Sequence, residues 1–412
     1  MENAETKTQC CIAGGGPAGV VLGFLLARAG VDVIVLEKHA DFFRDFRGDT
    51  IHPSTLEVVR ELGLLDEFLK VPHNEARHLE AQIGEETVHL ADFRFVPTYC
   101  KFIALMPQWD FLNFMAEHAK RYPSFHLEVN ADVQDIIVEN GRVTGVKVAT
   151  PAGVREIRAD LVVGADGRSS TVREKAGLEV LDMGAPIDVL WLRLSRHPSD
   201  PDMSFGRIDA GKILVMLNRG DYWQCAFVID KDGFAAKQAR GLDAFRAELV
   251  GLAPYLADRV GGLKTWDDVK LLTVKVDRLK TWYRPGLLCI GDAAHAMSPV
   301  GGVGVNIAIQ DAVAAANILT PQFGNGPLPD APLAAVQRRR EWPMKMTQAL
   351  QIVAQKRVLI GVLGSDKPMR PPAVTRLFEM FPPLRAIPAY VVGVGFRPEH
   401  VHTPERIATV PR

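Results

Sequence analysis

The 412-residue chain has almost no excess charge of either sign. Its 48 Lys and Arg residues nearly balance its 49 Asp and Glu residues, for a formal net charge of −1 at pH 7. This balance argues against the basic surface of a nucleic-acid-binding protein. With 47% hydrophobic and 24% charged residues, the composition is globular and excludes a mostly disordered chain. The length suits two or three domains and excludes a small binding module.

Cysteine is also scarce, and its spacing carries no metal-binding or disulfide pattern. The five cysteines are odd in number and contain no C-x-x-C pair, so we expect neither a metal site nor a disulfide framework. Reduced, buried thiols in a cytoplasmic protein are the expectation instead. The cysteines are Cys10, Cys11, Cys100, Cys225 and Cys289.

Long hydrophobic runs are limited to one stretch, residues 8–27, which has no charged side chain and resembles a membrane span by hydropathy alone. Its middle contains a cluster of glycines with a proline, which would break a spanning helix. We therefore predict no membrane span here. We expect the stretch to form a strand at 8–13, a glycine turn and a helix that ends at Gly30, all within a soluble protein.

The glycine turn matches the dinucleotide-binding pattern G-x-G-x-x-G. Gly14 allows the tight turn, Gly16 lets the backbone approach a pyrophosphate, and Gly19 lets helix and strand pack closely. Pro17 and Ala18 open the helix, whose N-terminus offers free N–H groups and a positive dipole end to an anion. A glycine turn that merely connects strand and helix remains the structural alternative.

An acidic residue stands where the pattern requires one. Glu37 follows a second predicted strand, 31–36, roughly 20 residues after the glycines, where a carboxylate can accept hydrogen bonds from ribose hydroxyls. The same charge disfavours the 2′-phosphate of NADP at this site. Lys38 adjoins it and is included among the candidate cofactor residues. This motif does not distinguish FAD from NAD.

Two further strand–turn motifs follow later in the chain. A buried strand at 161–164 leads into Asp166-Gly167, after a hairpin predicted from Asn140-Gly141. A second buried strand at 286–290 leads into Gly291-Asp292. Taken singly, each acid could cap the following helix or form an Asx turn.

In this order and spacing, the glycine motif with Glu37, Asp166-Gly167 and Gly291-Asp292 resemble the three fingerprints of the p-hydroxybenzoate hydroxylase family. These are single-component, class A FAD-dependent aromatic hydroxylases. The resemblance implies an α/β fold with a discontinuous, Rossmann-like FAD-binding domain of the GR2 type. It also implies an inserted antiparallel substrate domain of α+β character and a C-terminal helical region. The implied boundaries are 1–75, 97–180 and 272–320 for FAD, 76–96 and 181–271 for substrate, and 333–412 for the helical region.

The resemblance also assigns roles to residues. It implies that Asp292 binds the ribityl hydroxyls, that Asp166 lies near the pyrophosphate, and that Arg47 and Gln108 contact the flavin. Arg47 could instead pair with a neighbouring acid, and Gln108 could be an ordinary helix-start residue. The loop against the isoalloxazine ring would offer backbone N–H groups to the negative charge of reduced flavin. The resemblance places Pro299 and residues 301–306 in this loop, with Pro299, Gly302, Gly304, Val305 and Asn306 as its candidate cofactor residues. Gly291 is a candidate beside Asp292.

In the middle of the chain, the sequence predicts strands at 188–195, 203–208, 212–217 and 222–229. We expect them to form an antiparallel sheet, to which strands within 78–95 are added. The resemblance makes Met216, Trp223, Phe227 and Pro299 candidate substrate-pocket residues. Trp191 and Tyr222 are further aromatic candidates for the pocket. Ordinary sheet core is the alternative for each. His295 is interpreted as a packed histidine rather than a catalytic base. Arg44, Arg168 and Arg173 could meet a nicotinamide cofactor or be surface charges.

Toward the C-terminus, residues 321–332 read as a linker rich in proline and glycine. Residues 334–363 predict a long helix, and residues 373–380 a last one.

The implied function is an FAD-dependent monooxygenase that hydroxylates a phenolic or polyketide-like aromatic with NADH or NADPH and O2. The resemblance places the chemistry on a C4a-hydroperoxyflavin, so no catalytic side chain is assigned. Alternatives are another flavoenzyme, such as a halogenase or prenyl reductase, or a non-catalytic dinucleotide-binding sensor. The W-x-W-x-I-P pattern of flavin halogenases does not occur in the sequence. We expect a monomer or homodimer with no nucleic-acid partner.

Overall fold

The computed structural model describes residues 6–43, 50–201, 205–356, 360–363, 367 and 369–406. The described strands are β1 (Thr6–Ala13), β2 (Val33–Glu37), β3 (Thr50–Ile51), β4 (Asn74–Ala76), β5 (His78–Ile83), β6 (Glu86–Asp92), β7 (Ile103–Leu105), β8 (Phe125–Val129), β9 (Asp132–Glu139), β10 (Arg142–Thr150), β11 (Gly153–Gly164), β12 (Val180–Asp182), β13 (Ile187–Ser195), β14 (Phe205–Asp209), β15 (Lys212–Asn218), β16 (Tyr222–Asp230), β17 (Lys270–Leu272), β18 (Asp277–Leu279), β19 (Tyr283–Arg284) and β20 (Leu287–Cys289). The described helices are α1 (Pro17–Arg28), α2 (Pro53–Glu61), α3 (Leu65–Phe68), α4 (Gln108–Ala119), α5 (Thr171–Lys175), α6 (Phe234–Ala239), α7 (Leu242–Leu252), α8 (Gly304–Leu319), α9 (Asp330–Ala354), α10 (Ile360–Leu363), α11 (Ala373–Met380) and α12 (Ala386–Gly393).

A parallel sheet carries the glycine turn. Its central strands run in the order β20-β11-β1-β2-β8 and are all parallel, while β19 lies antiparallel at one edge. Strand β2 is buried along its whole length, and α1 is buried along most of its surface between α4 and α8. The charge-free stretch 8–27 is thus the centre of a folded core, as the sequence predicts.

The long strand β11 runs parallel to β1 along most of its length and pairs with two strands on its other side. Its first half pairs antiparallel with β10, and its second half runs parallel to β20. Strands β9 and β10 form the hairpin predicted from Asn140-Gly141, whose φ angles are 49° and 80°. Two positive φ values in succession are typical of the type I′ turn.

The second large sheet has the order β17-β13-β16-β15-β14-β5-β6. Strands from two separate stretches of the chain therefore share it, and helix α7 packs on one face. The predicted antiparallel arrangement is confirmed except at β14 and β5, which are parallel. Since β5 arrives from a distant stretch, no hairpin fixes its direction. The domain boundaries drawn through these segments stay a prediction.

The C-terminal helices differ in part from the prediction. Helix α9 begins at Asp330, inside the predicted linker, because an acid and a following proline suit a first helical turn. The predicted helical stretch at 334–363 is helical in α9, in a π-helical turn at 355–356 and in α10, while residues 357–359 lie outside the described residues. Helix α11 matches the predicted 373–380, whereas α12 was not predicted.

All five cysteines lie buried and free, as expected. The stretch Val300–Gln322, which contains α8, is long and apolar enough to cross a membrane by length and composition. Most of it is buried inside the protein, and a core helix of a globular protein gives the same pattern. It is therefore weak evidence for a span.

Candidate cofactor site

The three sequence motifs meet at one edge of the parallel sheet. Ala13 at the end of β1 lies beside Leu36 of β2 on one side and Gly164 of β11 on the other. Gly164 in turn lies beside Cys289 of β20. Each motif follows directly on one of these strand ends. The carboxyl edge of a parallel sheet is where open α/β folds bind ligands.

Close backbone contacts lock the motifs together. A Cβ on Gly14, whose φ is 108°, would lie 2.3 Å from the carbonyl oxygen of Ala165, and one on Gly19 would lie 1.9 Å from the carbonyl oxygen of Gly14. A Cβ on Gly291 would lie 3.1 Å from the Cβ of Ala18. The glycine loop (residues 14–19) therefore touches both later motifs, and only glycine fits at two of its positions.

Gly16 differs from these packed glycines. A Cβ there would meet no atom within 4 Å among the described residues. Gly16 is also the N-cap residue of α1, which has no side-chain cap hydrogen bond in the described structure. Space and free N–H groups thus coincide at the start of α1, the arrangement that anions favour.

Glu37 is buried at the end of β2, with a relative exposure of 8%. Its Oε2 accepts a hydrogen bond from the Gly15 N–H at 3.1 Å, and its Oε1 accepts one from the His39 N–H at 2.9 Å. The carboxylate therefore also holds the glycine loop in place, a structural role that sequence reasoning missed. Lys38, the next residue, is exposed.

Asp166 performs the helix-capping role that the sequence left open, and has one oxygen to spare. Its Oδ2 accepts from the Val172 N–H at 3.1 Å, while Oδ1 is buried with no partner in the described structure. Burial raises the pKa of Asp166, although hydrogen bonds from Ser170 and from backbone N–H groups offset part of this effect. A buried acceptor without a partner beside the glycine loop suits a ligand that carries a donor.

The acid of the third motif is accessible. Asp292 lies in the turn after β20, and its Oδ2 is 3.4 Å from an Nη atom of Arg168. Both side chains are about one-third exposed or less. The sequence left the roles of three arginines open, and one of them, Arg168, therefore lies at this site. Arg44 lies outside the described residues.

For the third arginine, Arg173, the sequence left open a contact to the nicotinamide cofactor or a surface charge. The surface-charge interpretation is wrong, and the contact stays a prediction. Its guanidinium is buried and makes two 3.3 Å hydrogen bonds to the Asp277 carboxylate. It also donates to the carbonyl oxygens of Arg168 and Ala293. Arg173 thus ties the second motif to the third.

The third-motif loop (residues 291–306) is held by groups from β3 and α2. Thr50 donates to the Gly302 carbonyl at 3.1 Å. The side-chain oxygen of Asn306 accepts from the His52 N–H at 3.1 Å and from the Thr55 hydroxyl at 2.6 Å, which leaves its buried Nδ2 without a partner among the described residues. Helix α8 begins here with no side-chain cap bond in the described structure.

The remaining predicted site residues are placed as follows. Pro299 and Val305 are half-buried in the third-motif loop, and Gly304 is the first residue of α8. Gln108 is half-buried at the first position of α4. The candidate Arg47 lies outside the described residues.

His295 is packed, as the sequence analysis interpreted it. Its Nε2 donates to Asp311 Oδ2 at 2.6 Å, and its ring lies 4.9 Å from that of Trp282. Asp311 also accepts from the Gly291 N–H at 3.1 Å and from Arg340 Nε at 3.0 Å. Burial raises the pKa of Asp311, but the charges and hydrogen bonds of His295 and Arg340 outweigh it and hold that pKa below its ordinary value.

The predicted substrate residues of the second sheet point away from this site. Met216, Trp223 and Phe227 are fully buried in the cluster that packs against α7. Because side chains alternate along a strand, their neighbours Val215 and Ala226 face the opposite side. The three residues therefore belong to the core under α7, and their role as pocket residues stays a prediction. The sequence showed aromatic strands but not which face was covered.

The face opposite α7, here called the inner face, adjoins the third-motif loop. Val189, Ala226, Val274 and Val276 form its buried cluster, and Trp191 packs against it half-buried. Asp277, which follows Val276, exchanges hydrogen bonds with the backbone of Ala296 at 3.2 and 3.3 Å. Of the aromatic candidates, Trp191 therefore lies on the inner face.

The donors and acceptors at the sheet edge fit FAD. They comprise an open glycine position at an uncapped helix start, a buried carboxylate at the end of β2, a spare oxygen on Asp166, an accessible acid at 292 and a second uncapped helix start at α8. A dinucleotide with a pyrophosphate, ribose hydroxyls and an electron-accepting ring offers matching groups.

Comparisons with known proteins agree. Residues 7–349 match the family model described as FAD binding domain. The chain is 32% identical over 372 residues to 6-methylpretetramide 4-monooxygenase of Streptomyces rimosus, covering 89% of this chain and 88% of that protein. It is 25% identical over 338 residues to para-nitrophenol 4-monooxygenase of Pseudomonas sp. (strain WBC-3), covering 78% and 80%.

The fold is shared more widely than the activity. The structure of the myxobacterial chondrochloren halogenase CndH superposes with a TM-score of 0.74 at 20% identity, covering 92% of this chain and 91% of that one. The extent of the family match and the 32% identity nevertheless decide the family. The chain contains the FAD binding domain of this family and belongs to the class A FAD-dependent aromatic hydroxylases.

Proposed function

We propose that this monooxygenase hydroxylates a phenolic, polyketide-like aromatic substrate with O2 and NADH or NADPH, and that the site residues named above hold its FAD. The observation that carries the proposal is the meeting of all three motifs at one sheet edge, next to an apolar face of a second sheet. A fused-ring polyketide and a phenol are the substrates named for the two relatives described above.

In this proposal, the two ends of FAD are bound by different groups. The glycine loop and Glu37 form the adenosine end, where N–H groups of α1 meet the pyrophosphate and the carboxylate meets ribose hydroxyls. The third-motif loop forms the flavin end, where Asp292 accepts hydrogen bonds from the ribityl chain. When bound, FAD supplies the redox chemistry, first as hydride acceptor and then as activator of dioxygen.

The side chains around the flavin end would position and shield rather than react. The N-terminus of α8 presents N–H groups and a positive dipole end, which stabilise negative charge on a reduced ring. Buried apolar residues of the inner face exclude water from the neighbouring space. We assign no side chain as a catalytic base.

The inner face is the proposed wall of the substrate site. Trp191 is half-buried there and offers a flat aromatic surface to a ring substrate. We expect Trp191→Ala to change which phenols are accepted without weakening FAD binding. The matched control is Trp266→Ala, which alters the cluster under α7 and should lower only stability. Equal substrate profiles for wild type and Trp191→Ala would remove Trp191 from the site.

The test of the function is a screen of monocyclic phenols and fused-ring polyketide phenols for stimulated NADH or NADPH oxidation under air. Products are identified by mass spectrometry, which separates hydroxylation from release of hydrogen peroxide. We expect a protein that purifies with FAD and adds one oxygen atom to a ring. A protein that retains FAD but oxidises neither nucleotide with any phenol would favour the sensor alternative.

A halogenase is the second candidate, because the same fold occurs in the chondrochloren halogenase. The two functions differ in product. Adding chloride or bromide to the screen should leave the product unhalogenated, and a halogenated ring would support the second candidate instead.

A further inference from the structure

Helix α9 presents a row of buried polar side chains to the third-motif loop. Arg340, Gln348 and Gln351 of α9, and Gln355 at its C-cap, are spaced along one helical face and are each 5% exposed or less. Long polar side chains are rarely buried unless they are hydrogen-bonded. The family resemblance assigns no role to this helix.

All but one of the bonds from the three glutamines fall on one short segment, residues 296–300. Gln348 Nε2 donates to the carbonyl oxygens of Asp277 and Ala296, at 2.9 and 3.2 Å. Gln351 Nε2 donates to the carbonyl oxygens of Ser298 and Val300, at 2.9 and 2.8 Å. Ser298 and Val300 are the sequence neighbours of Pro299.

The other two side chains extend the same contact. Gln355 Nε2 donates to the Ser298 hydroxyl, whose oxygen accepts from the Val300 N–H at 3.3 Å. Arg340 acts on the start of the loop through Asp311, which accepts from the Gly291 N–H. A single helix face therefore holds the loop from residue 291 to residue 300.

We propose that the glutamine row (Gln348, Gln351 and Gln355) consists of positioning residues that set the geometry of the flavin end, so that α9 controls how the ring is held. This rests on the proposed placement of FAD. A buried loop keeps one conformation only if its polar groups are paired. The glutamine amides supply those pairs, and the adenosine end has no contact with them among the bonds described.

The experiment separates the two ends of the cofactor by using FAD and ADP as probes on the apoprotein. ADP carries the adenosine and pyrophosphate groups but lacks the ribityl chain and the ring. In Gln351→Met and Gln348→Met, which keep side-chain length but lose the amide, we expect FAD affinity to fall about tenfold. We expect ADP affinity to stay at the wild-type value and the absorption spectrum of bound FAD to shift.

Gln337→Met is the matched control. Gln337 lies on the same helix and accepts from the Trp282 N–H at 3.0 Å, while its amide donates to the Lys280 carbonyl, both outside the loop. Its replacement should leave both affinities and the spectrum unchanged. Ser298→Ala, which removes the hydroxyl that accepts from Gln355 and from the Val300 N–H, serves if a methionine variant fails to fold, and should shift the FAD spectrum with ADP binding intact.

The outcomes are distinct. Equal losses of FAD and ADP affinity in the glutamine variants would show a general structural role and overturn the proposal, as would FAD affinity and spectra identical to wild type. Wild-type protein that binds ADP but not FAD would instead contradict the proposed function.

Discussion

The adenosine end and the flavin end of the proposed site are built in different ways. At the adenosine end, the groups come from a continuous stretch of sequence, and the packing is between backbone atoms of β1, α1 and the turn after β11. At the flavin end, the loop depends on side chains from β3, α2, α8 and α9, some separated from it by up to 252 residues. Local backbone geometry defines the first end, and long-range side-chain contacts define the second.

This difference separates the variants that should affect both FAD and ADP from those that should affect FAD alone. Changes in the glycine loop should weaken the two ligands together. Changes in the third-motif loop and its supports should weaken only FAD. Each prediction below tests one side of this division.

The largest effect is expected from Gly19→Ala. Its Cβ would lie 1.9 Å from the Gly14 carbonyl oxygen, so the loop must move and apoprotein stability should fall by several kcal/mol, about 3 or more. Binding of FAD and ADP should be lost. Gly16→Ala is the control, because its Cβ enters open space: its melting temperature should equal wild type while both ligands bind more weakly. Thermal unfolding with titrations of each ligand checks this, and a stable, ligand-binding Gly19→Ala protein would contradict the packing.

The free energy of unfolding should depend on pH through His52, which contacts the loop at the flavin end. Burial lowers the pKa of His52 to about 4, partly offset by its hydrogen bond to the Val392 carbonyl. Since the unfolded chain takes up this proton near pH 6.5, stability is full above that pH and falls by about 3 kcal/mol as pH drops toward 4.

Urea unfolding of the apoprotein at pH 7.5 and 4.5 measures this loss. His52→Asn should show a smaller loss between the two pH values than wild type does. Identical losses in both proteins would mean that His52 does not titrate in this range.

The next largest effect is expected from Asp292→Asn, which should weaken the binding of FAD but not that of ADP. Loss of a charged acceptor for ribityl hydroxyls should cost about 2 kcal/mol of FAD affinity, or about 30-fold. ADP affinity should not change. Arg168→Gln is the informative control, because it removes the neighbour of Asp292 but not the proposed acceptor. Fluorescence quenching of FAD gives the values, and parallel losses for ADP would refute the ribityl role.

The smallest effect is expected from Glu37→Gln. An amide can still accept a hydrogen bond from the Gly15 N–H, so the loop should persist while the charged bonds to ribose weaken by about 1 kcal/mol. FAD and ADP should lose the same factor in isothermal titrations. A loss for FAD alone would place Glu37 outside the adenosine end.

The sequence predicted the fold class and the glycine motif because their cause is local. The φ of 108° at Gly14 and the turn at Asn140-Gly141 follow from residue type and neighbours. Burial of Arg173 and the row on α9 depended on which faces meet in three dimensions, and the sequence does not state this. The same holds for the burial of Trp223 under α7, since alternation identifies two faces without telling which one is covered.

A signal for the glutamine row was nevertheless present. Arg340, Gln348, Gln351 and Gln355 recur at helical spacing within a predicted helix, and buried polar residues at that spacing are unusual. Reading them as a solvent-exposed stripe was equally consistent with the sequence. Only their burial in the structure distinguishes the two.

The most direct test of the account is a single turnover under ¹⁸O-labelled dioxygen with an accepted phenol and NADH or NADPH. An aromatic hydroxylase predicts a product that gains one labelled oxygen atom on the ring, with one nicotinamide consumed per product. Unlabelled product, or nicotinamide oxidation that yields only hydrogen peroxide with every phenol tested, would contradict the proposed function.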